Sequence, residues 1–290
     1  MIDLSIIIVN YNGEKYLKEC LGSVYARTRK SSFEVIFVDN NSTDLSVELV
    51  KSKFRQVKII ENRSNLGFCK ANNQGIAVSE GKYIVLLNTD TIIEEGALDI
   101  LVKFMNASPK AGACGPKLLN PDGSPQHQGG LFARRFWLSD KPSKVSYVVG
   151  ACLLVRREVV DIVGGLDENF FFSNDDLDWC RRIRKTGWDI YFIPQARVIH
   201  FGGFTTKKFS VKPFVEGFRG GLYFCKKHYG LLAYLIYRLL LVVAMLLAVA
   251  GAGLAYPFLK NKQKLNAFLQ ILIIAIKGEI YPTYEDSSRQ

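Results

Sequence analysis

The sequence predicts an α/β protein built on an open sheet. Four short β-branched or aliphatic runs, at residues 6–9, 35–38, 57–60 and 83–87, have the composition of strands that are buried on both faces. Helical patterns separate the runs, so this part of the chain reads βαβαβαβ. Ligands of such sheets bind beyond the carboxyl ends of the strands, at a switch in strand order.

The first two helical patterns each carry an apolar face, and residues 42–44 offer the second an N-cap. The faces are Leu17, Leu21 and Val24 in the first pattern, and Leu45, Leu49 and Val50 in the second. After Pro109 the alternation fades, and the sequence Asn-Pro-Asp-Gly at 120–123 is a strong turn signal. Beyond it, the patterns predict strands at 148–155 and 188–193 and helices at 156–163 and 175–185.

Composition limits the class of protein. The 290 residues are enough for one large domain or for one domain with an appendage. The net charge of +11 indicates an anionic partner, which can be nucleic acid, anionic lipid or a phosphorylated substrate. Six cysteines stand singly, as expected for buried free thiols in a reducing compartment. The start of the chain, "MIDLSIIIVN", predicts a first buried strand rather than a signal peptide.

The loop after the first strand excludes two common nucleotide-binding motifs. A dinucleotide site needs Gly-x-Gly-x-x-Gly at this turn, whereas residues 10–14 read Asn-Tyr-Asn-Gly-Glu. No Gly-Lys-Ser/Thr sequence follows a strand, so a P-loop is also excluded. A hydride-transfer enzyme is therefore disfavoured.

Each predicted strand of the first part ends in polar residues, which predicts a rim of amides and carboxylates along one edge of the sheet. Asp39, after the second strand, can cap the next helix or can bind a nucleotide base or ribose. Asp90 can hold a divalent cation that binds a diphosphate, or can simply close a turn. The rim sequences are Asn10-Tyr11-Asn12-Gly13, Asp39-Asn40-Asn41, Glu61-Asn62 and Asn88-Thr89-Asp90.

Two further features are candidates for catalysis or metal binding. Asp175, Asp176 and Asp178 crowd the start of a helix. Acids at a helix start can simply favour the helix dipole, but crowding also raises the pKa of a carboxyl group and favours a general base. His200 ends a strand-like run before a glycine-rich loop, where either a structural role or a metal or phosphate role is open.

Six sequence motifs occur in order over residues 2–204: "SIIIVNYNGEKYLKECLGSV", "VDNNSTD", "NLGFCKANNQGI", "YIVLLNTD", "GACLLVRREVVDIVGGLDENFFFSNDDLDWCRRIRKTGW" and "HFGG". With these motifs the chain resembles the family 2 glycosyltransferases with the GT-A fold, within them the bacterial rhamnosyltransferase-like branch. The resemblance implies a mixed Rossmann-like sheet that binds a nucleoside-diphosphate-sugar donor.

The resemblance also implies roles for individual residues. Asp90 would bind Mn²⁺ or Mg²⁺, and since Asn88 replaces the first acid of the family's Asp-x-Asp element, His200 becomes the second protein ligand. Asp176 would be the base of an inverting transfer, with Asp175 preceding it. Trp179 and Arg182 are assigned to the acceptor, although Trp179 can equally be a core residue. The residues assigned to the donor are Asn10, Tyr11, Asn12, Asp39, Asn41, Asn65, Gly67, Asn72, Asn88, Thr89 and Asp90.

The last quarter of the chain predicts membrane association. Residues 231–259 are nearly all apolar, and Arg238 near their start is expected to reach the lipid headgroups. A second apolar stripe, at 265–276, is too short to span a bilayer comfortably. Because lysines flank the long segment on both sides, a re-entrant hairpin or an in-plane helix is favoured over a single span. The expected divisions are a catalytic domain at 1–210, a basic and aromatic linker at 211–230, apolar helices at 231–282 and a polar tail at 283–290.

These features predict a metal-dependent, inverting glycosyltransferase of cell-envelope glycan synthesis, on the cytoplasmic face of the bacterial inner (plasma) membrane. The expected partners are a nucleoside-diphosphate-sugar, with rhamnose as the candidate sugar, a lipid-linked acceptor and the anionic membrane surface, without nucleic acid. Two alternatives stay open at this point: a sugar-nucleotide nucleotidyltransferase and a non-catalytic membrane adaptor. The sequence does not specify the nucleobase, the linkage or the oligomeric state.

Overall fold

The computed structural model describes residues 2–128, 135–202, 211–254 and 263–280. They form two compact units, of which the first lies within Met1–Asp167 and Asp176–Thr205 and the second within Glu168–Asp175 and Thr206–Tyr284. The first unit is a sheet flanked by helices. The second consists mainly of helices.

A nine-stranded sheet forms the first unit, in the order β3-β2-β1-β4-β8-β6-β9-β5, with β7 pairing to β9. Strands β1 to β4 are parallel, β8 runs antiparallel to β4 and β6, and β9 is parallel to β6 but antiparallel to β5 and β7. The strands are β1 Leu4–Asn10, β2 Phe33–Asp39, β3 Lys58–Glu61, β4 Tyr83–Leu87, β5 Thr91–Ile93, β6 Ala111–Leu119, β7 Ser143–Val145, β8 Cys152–Arg156 and β9 Asp189–His200. This mixed sheet confirms the predicted α/β class.

Six α-helices and a short 3₁₀ helix at Phe136–Leu138 complete the described fold around this sheet. The helices are α1 Glu14–Arg27, α2 Ser46–Lys53, α3 Gly67–Ala77, α4 Ala97–Ala107, α5 Arg157–Val163 and α6 Asp175–Lys185. Strand β4 is buried along its whole length, β1 at six of seven positions and β2 at five of seven, so the burial predicted for the aliphatic runs is confirmed for these three. For β3 it was wrong, because all four residues of this edge strand are half-buried or exposed. All six cysteines are free, and five of them are buried.

Some local predictions were wrong. Helix α2 begins at Ser46 with Leu45 as its N-cap residue, so Leu45 lies exposed before the helix instead of on its apolar face. The strand predicted at 148–155 forms only at Cys152–Arg156, while the one predicted at 188–193 extends to His200.

Strand β6 was not predicted, although all nine of its residues are buried. It contains two glycines and a proline, which lower the propensity for a strand. Its pairing with β8 and β9 decides the structure instead. Gly115 is required there, because a Cβ at this position would lie 2.9 Å from Cβ of Val148.

In the second unit, two helices, α7 at Val211–Leu254 and α8 at Gln263–Lys277, share an apolar core. Helix α7 breaks at Gly230, whose φ of 85° lies in the left-handed region that glycine adopts without strain. Arg238 does not reach for headgroups as predicted: it donates hydrogen bonds to the carbonyl oxygens of Ala275 and Ile276. These carbonyls lie in the last turn of α8, where helices leave acceptors unpaired.

Within the described residues, one helix is long and apolar enough to cross a membrane. It spans Val211–Ala252, and its most apolar window is only 17% buried. The apolar side chains of α7 that are exposed include Leu231, Leu232, Leu235, Ile236, Leu239, Leu240, Val243, Leu246 and Leu247.

Candidate active site

The tips of β1 and β2 meet in a buried polar cluster. Asn10 pairs in register with Asp39, and its Nδ2 donates to Oδ1 of Asp39 at 3.0 Å. Asp39 also accepts from Oγ and N of Ser42, at 2.6 and 2.8 Å, so it closes the turn that leads toward α2. Oδ1 of Asn10 is buried and has no hydrogen-bond partner among the described residues. An unpaired buried acceptor is costly, so a bound donor group at this point would be stabilising.

The loops after β1 and β2 present side chains to solvent. Asn12 and Asn41 adopt positive φ angles of 53° and 66°, which asparagine tolerates better than most residues. Oδ1 of Asn12 accepts from N of Thr43 at 2.8 Å, which ties the two loops together. Tyr11 and Asn41 are exposed at this rim and are therefore free to meet a ligand.

The start of α3 is fixed by asparagines. Oδ1 of Asn65 accepts from N of Gly67 at 2.9 Å, and Gly67 has a φ of 80°. Asn72 is buried and donates from Nδ2 to the carbonyl oxygen of Phe68 at 2.9 Å. The predicted donor residues Asn65 and Asn72 thus make local contacts that hold the backbone in place.

Asn40 is a rim residue for which no role was predicted. It is buried, its N donates to the carbonyl oxygen of Asn10 at 2.8 Å, and its Nδ2 donates to that of Gly67 at 3.1 Å. Its Oδ1 accepts from Nδ2 of Asn62 at 3.0 Å. Asn40 therefore joins the ends of β1, β2 and β3 to the start of α3. Its position between Asp39 and Asn41, in the quoted motif, was the available signal.

Gly13 brings the β1 loop close to the end of β4. A Cβ on Gly13 would lie 2.4 Å from Oδ1 of Asn10 and 3.1 Å from Oγ1 of Thr89. Only glycine permits this approach, so the Asn10 and Thr89 parts of the rim form one surface.

Asp90 and His200 lie together although 110 positions separate them in the sequence. Strand β5 follows Asp90 directly and pairs with the end of β9, so that Thr91 faces His200 in the register. Oδ1 of Asp90 is 3.4 Å from Nε2 of His200, and Nδ2 of Asn88 is also 3.4 Å from that nitrogen. The predicted pair is thus placed at one point of the rim.

The geometry of this pair fits a divalent cation. Two ligands held at about 2.1 Å and at right angles around an ion lie about 3.0 Å apart, close to the observed 3.4 Å. Gly202 leaves room beside the pair, because a Cβ there would lie 2.4 Å from Nε2 of His200 and 3.3 Å from Oδ2 of Asp90. Among the described residues, no three His, Cys, Asp or Glu side chains gather in a metal-binding group. Substrate oxygens or water would have to complete the coordination, as Mg²⁺ commonly requires.

Asp176 has the electrostatics expected of a general base. Its Oδ2 accepts from N of Gly150 at 3.0 Å, and its Oδ1 accepts from N of Leu177 at 2.8 Å. Burial raises the pKa of the Asp176 carboxyl group above its usual value, in spite of these two hydrogen bonds. Burial is the largest cause of this shift, whereas the sequence predicted crowding of acids. Asp178 is fully buried and forms an ion pair with Nε of Arg182 at 2.7 Å. Asp175 is also buried.

The two residues assigned to the acceptor are used inside the protein. Trp179 is fully buried, and its Nε1 donates to the carbonyl oxygen of Gly164 at 2.9 Å, as the core alternative requires. Besides pairing with Asp178, Arg182 donates to the carbonyl oxygens of Val163 and Gly165, at 3.0 and 2.6 Å. An acceptor role therefore has no support from the geometry at these two positions.

The mixed sheet, with a polar rim at its strand tips, has the architecture of the GT-A fold of glycosyltransferases. The chain belongs to glycosyl transferase family 2, whose family model matches residues 5–163. This membership decides against both the nucleotidyltransferase and the non-catalytic adaptor.

Two relatives act on rhamnose according to their names. The chain is 29% identical over 238 residues to N-acetylglucosaminyl-diphospho-decaprenol L-rhamnosyltransferase of Mycobacterium tuberculosis, which covers 70% of this chain and 77% of that protein. It is 28% identical over 204 residues to dTDP-rhamnosyl transferase RfbF of Shigella flexneri, with 67% of each chain covered. These similarities place the chain in the rhamnosyltransferase-like branch of the family.

A solved structure shares the fold over most of the chain. The mannosyltransferase PcManGT of Pyrobaculum calidifontis, crystallised with GDP-Man and Mn²⁺, matches with a TM-score of 0.60 and 15% identity. The match covers 96% of this chain and 86% of that one. It confirms the predicted GT-A fold.

Proposed function

We propose that the protein transfers L-rhamnose from a nucleoside-diphosphate donor, with dTDP-rhamnose as the first candidate, to a sugar on a polyprenyl-diphosphate lipid. The observation that carries the proposal is the apposition of Asp90 and His200 at the donor rim of a family 2 chain. The sugar, the nucleotide and the lipid-linked acceptor come from the names of the two bacterial relatives. The reaction belongs to cell-envelope glycan synthesis.

The rim residues would hold the donor. The unpaired Oδ1 of Asn10 offers an acceptor for an N–H or O–H group of the nucleoside, while Tyr11 and Asn41 offer exposed side chains beside it. Asp90 and His200 would hold Mn²⁺ or Mg²⁺, which would neutralise charge on the departing nucleoside diphosphate. Asn88 and Thr89 lie beside this pair and would contact the diphosphate.

Asp176 would act as the base. Its carboxylate would accept the proton of the acceptor hydroxyl as that oxygen attacks the anomeric carbon and the bond to the diphosphate breaks, so one displacement inverts the configuration. A carboxylate whose pKa is raised by burial is a better proton acceptor than an ordinary aspartate, which supports this assignment. The buried neighbour Asp175 is proposed to support Asp176.

The experiment that tests this function uses the purified full chain with Mn²⁺ and a short-chain polyprenyl-diphosphate-N-acetylglucosamine acceptor. We expect dTDP release with dTDP-L-rhamnose, a lipid product heavier by one deoxyhexose in mass spectrometry, and much slower release with UDP- or GDP-sugars. Equal rates with UDP-glucose would contradict the proposed donor. A lack of dTDP release with any lipid-linked acceptor would contradict the proposed acceptor class.

The second unit is proposed to anchor the enzyme at the cytoplasmic face of the bacterial plasma membrane. After Gly230, α7 continues for about 24 residues, or roughly 36 Å at 1.5 Å per residue, enough to cross the hydrocarbon core. Arg238 of this segment bonds to the end of α8, so the two segments lie side by side. Lysines flank the long apolar segment on both sides, at 226–227 and at 260, 262 and 264. These contacts and charges favour a hairpin with both ends in the cytoplasm.

The hairpin predicts that the C-terminus lies on the cytoplasmic side of the membrane. An epitope tag after Gln290 is expected to be cleaved by protease in inverted membrane vesicles and to be protected in intact spheroplasts. A tag before Met1 serves as the control, since the catalytic unit must meet cytoplasmic sugar nucleotides. Cleavage of the C-terminal tag only from outside the cell would instead establish a single span.

A further inference from the structure

The turn after β6 brings a glutamine against His200. Residues 120–123, the Asn-Pro-Asp-Gly sequence, form a turn in which N of Gly123 donates to the carbonyl oxygen of Asn120 at 2.9 Å. The chain then returns along β6, and N of Gln126 donates to the carbonyl oxygen of Leu118 at 2.9 Å. Strand β6 pairs in parallel with the end of β9 that carries His200. The proposed catalytic roles leave this turn without a function.

The side-chain hydrogen bonds in this turn all run the same way, each side chain donating to the next and the last donating to Asp122. Oγ of Ser124 donates to Oδ1 of Asp122 at 2.6 Å, because the carboxylate can only accept. The Ser124 hydrogen bonds lower the pKa of Asp122, so this group is ionised at neutral pH. Having used its only hydrogen, Oγ of Ser124 accepts from Nδ2 of Asn120 at 2.9 Å. The amide of Asn120 is thereby oriented with Oδ1 toward Gln126.

This direction fixes the amide of Gln126 as well. Its Nε2 is 3.2 Å from Oδ1 of Asn120 and 3.0 Å from the carbonyl oxygen of His200, and both atoms are acceptors. The nitrogen must therefore face them, which leaves Oε1 of Gln126 against Nδ1 of His200 at 2.7 Å. Since an amide oxygen can only accept, Nδ1 carries the hydrogen.

The consequence appears at the other ring nitrogen. In the neutral imidazole with hydrogen on Nδ1, Nε2 presents a lone pair. Nε2 lies 3.4 Å from Oδ1 of Asp90, which is also an electron-pair donor, and 3.4 Å from Nδ2 of Asn88. A hydrogen on Nε2 would pair with Asp90, whereas a lone pair on Nε2 can bind a cation together with Asp90.

We propose that Gln126 is a positioning residue that fixes His200 in the tautomer with hydrogen on Nδ1 and so presents Nε2 to the divalent cation. The inference rests on the proposed metal role of Asp90 and His200. Hydrogen-bond partners of this kind orient ligating histidines, and their loss typically weakens metal binding by about 10- to 100-fold.

Two readouts test the proposal. In metal-free full chain labelled with [¹⁵N]histidine, the nitrogen shifts of His200 are expected to report hydrogen on Nδ1, with His127→Gln and His228→Gln used to assign the three histidines. Gln126→Leu is expected to give a mixture of tautomers and about 10- to 100-fold weaker Mn²⁺ binding in the presence of dTDP. Gln126→Glu keeps an acceptor for Nδ1 and is expected to keep the hydrogen on Nδ1, although it loses the two hydrogen bonds that Nε2 donates to Asn120 and to the carbonyl oxygen of His200.

Gln195→Leu is the matched control, because Gln195 lies exposed on β9, the strand that carries His200, and donates to the carbonyl oxygen of Asp140. It is expected to change neither readout, and thermal unfolding of each variant establishes that it is folded. A folded Gln126→Leu protein with unchanged tautomer and unchanged Mn²⁺ affinity would overturn the proposal. Wild-type protein that shows the expected tautomer but binds no Mn²⁺ would instead overturn the metal role in the proposed function.

Discussion

Replacing Asp176 with Asn is expected to lower kcat for sugar transfer by about 10²- to 10⁴-fold, the range that a positioned general base contributes. The amide cannot take the proton of the acceptor hydroxyl, although its size is unchanged. Donor binding is expected to survive, since none of the residues assigned to the donor lies on α6. Steady-state kinetics for transfer, with dTDP and Mn²⁺ binding by calorimetry, measure both effects.

The substitution also lowers the stability of the protein, and the experiment must separate this effect from the loss of catalysis. Both carboxylate oxygens of Asp176 accept backbone N–H groups, whereas asparagine has one acceptor, so one N–H group loses its partner. This loss costs about 1–3 kcal/mol of stability. Asp178→Asn is the matched control, because Asp178 lies two residues after Asp176 and the change weakens its buried pair with Arg182. It is expected to reduce stability while the folded protein keeps its transfer rate.

The wild-type pH profile supplies an independent check on Asp176. Because burial raises its pKa above the ordinary 3.8, kcat/KM is expected to fall, as the pH is lowered, at a pH above that value. The direction follows from the role of the group, since a base is active when deprotonated and is lost as protons bind. Wild-type transfer by Asp176→Asn would refute the assignment of the base.

Replacing Asp90 is expected to have the second-largest effect on the rate of sugar transfer. Asp90→Asn leaves His200 without its carboxylate partner, and metal-dependent transfer is expected to fall by about 10²- to 10³-fold, since a catalytic metal contributes several kcal/mol. His200→Ala is expected to act in the same direction. Chelation with EDTA should abolish transfer by the wild type, and added Mn²⁺ should restore it.

Asp140→Asn controls for the loss of a negative charge, because Asp140 pairs with Lys117 at 2.7 Å and has no proposed role in the site. It is expected to leave transfer and its Mn²⁺ dependence unchanged. Full wild-type activity in EDTA would show a metal-independent enzyme. Transfer by Asp90→Asn at the wild-type rate would remove Asp90 from the metal site.

Local residue patterns were sufficient for much of the fold and for the polar rim at the ends of the strands. The aliphatic runs at 6–9, 35–38 and 83–87 form buried strands because side chains that are apolar on both faces of a strand are stable only inside a sheet. The polar residues that follow β1, β2 and β4 gather at one edge because parallel strands place their carboxyl ends together. The sequence of α6, with acids first and bases last, also agrees with its observed limits.

The remaining features depend on partners far away in the chain. Strand β6, rich in glycine and proline, exists because β8 and β9 enclose it, and no local pattern encodes that enclosure. Trp179 is a core residue because its indole finds an acceptor in the preceding loop, and Arg238 leaves the expected headgroup position because α8 offers unpaired carbonyls.

By itself, the sequence determined the class of protein: an α/β glycosyltransferase whose strand tips carry Asn10, Asp39 and Asp90, with an apolar C-terminal segment. Only the tertiary structure decided how these groups are used. It brought Asp90 within 3.4 Å of His200 through the pairing of β5 with β9, and it placed Gln126 on the far side of the imidazole. The reason is physical, because periodicity reports the burial of single elements, whereas side-chain distances and hydrogen-bond direction depend on long-range strand pairing.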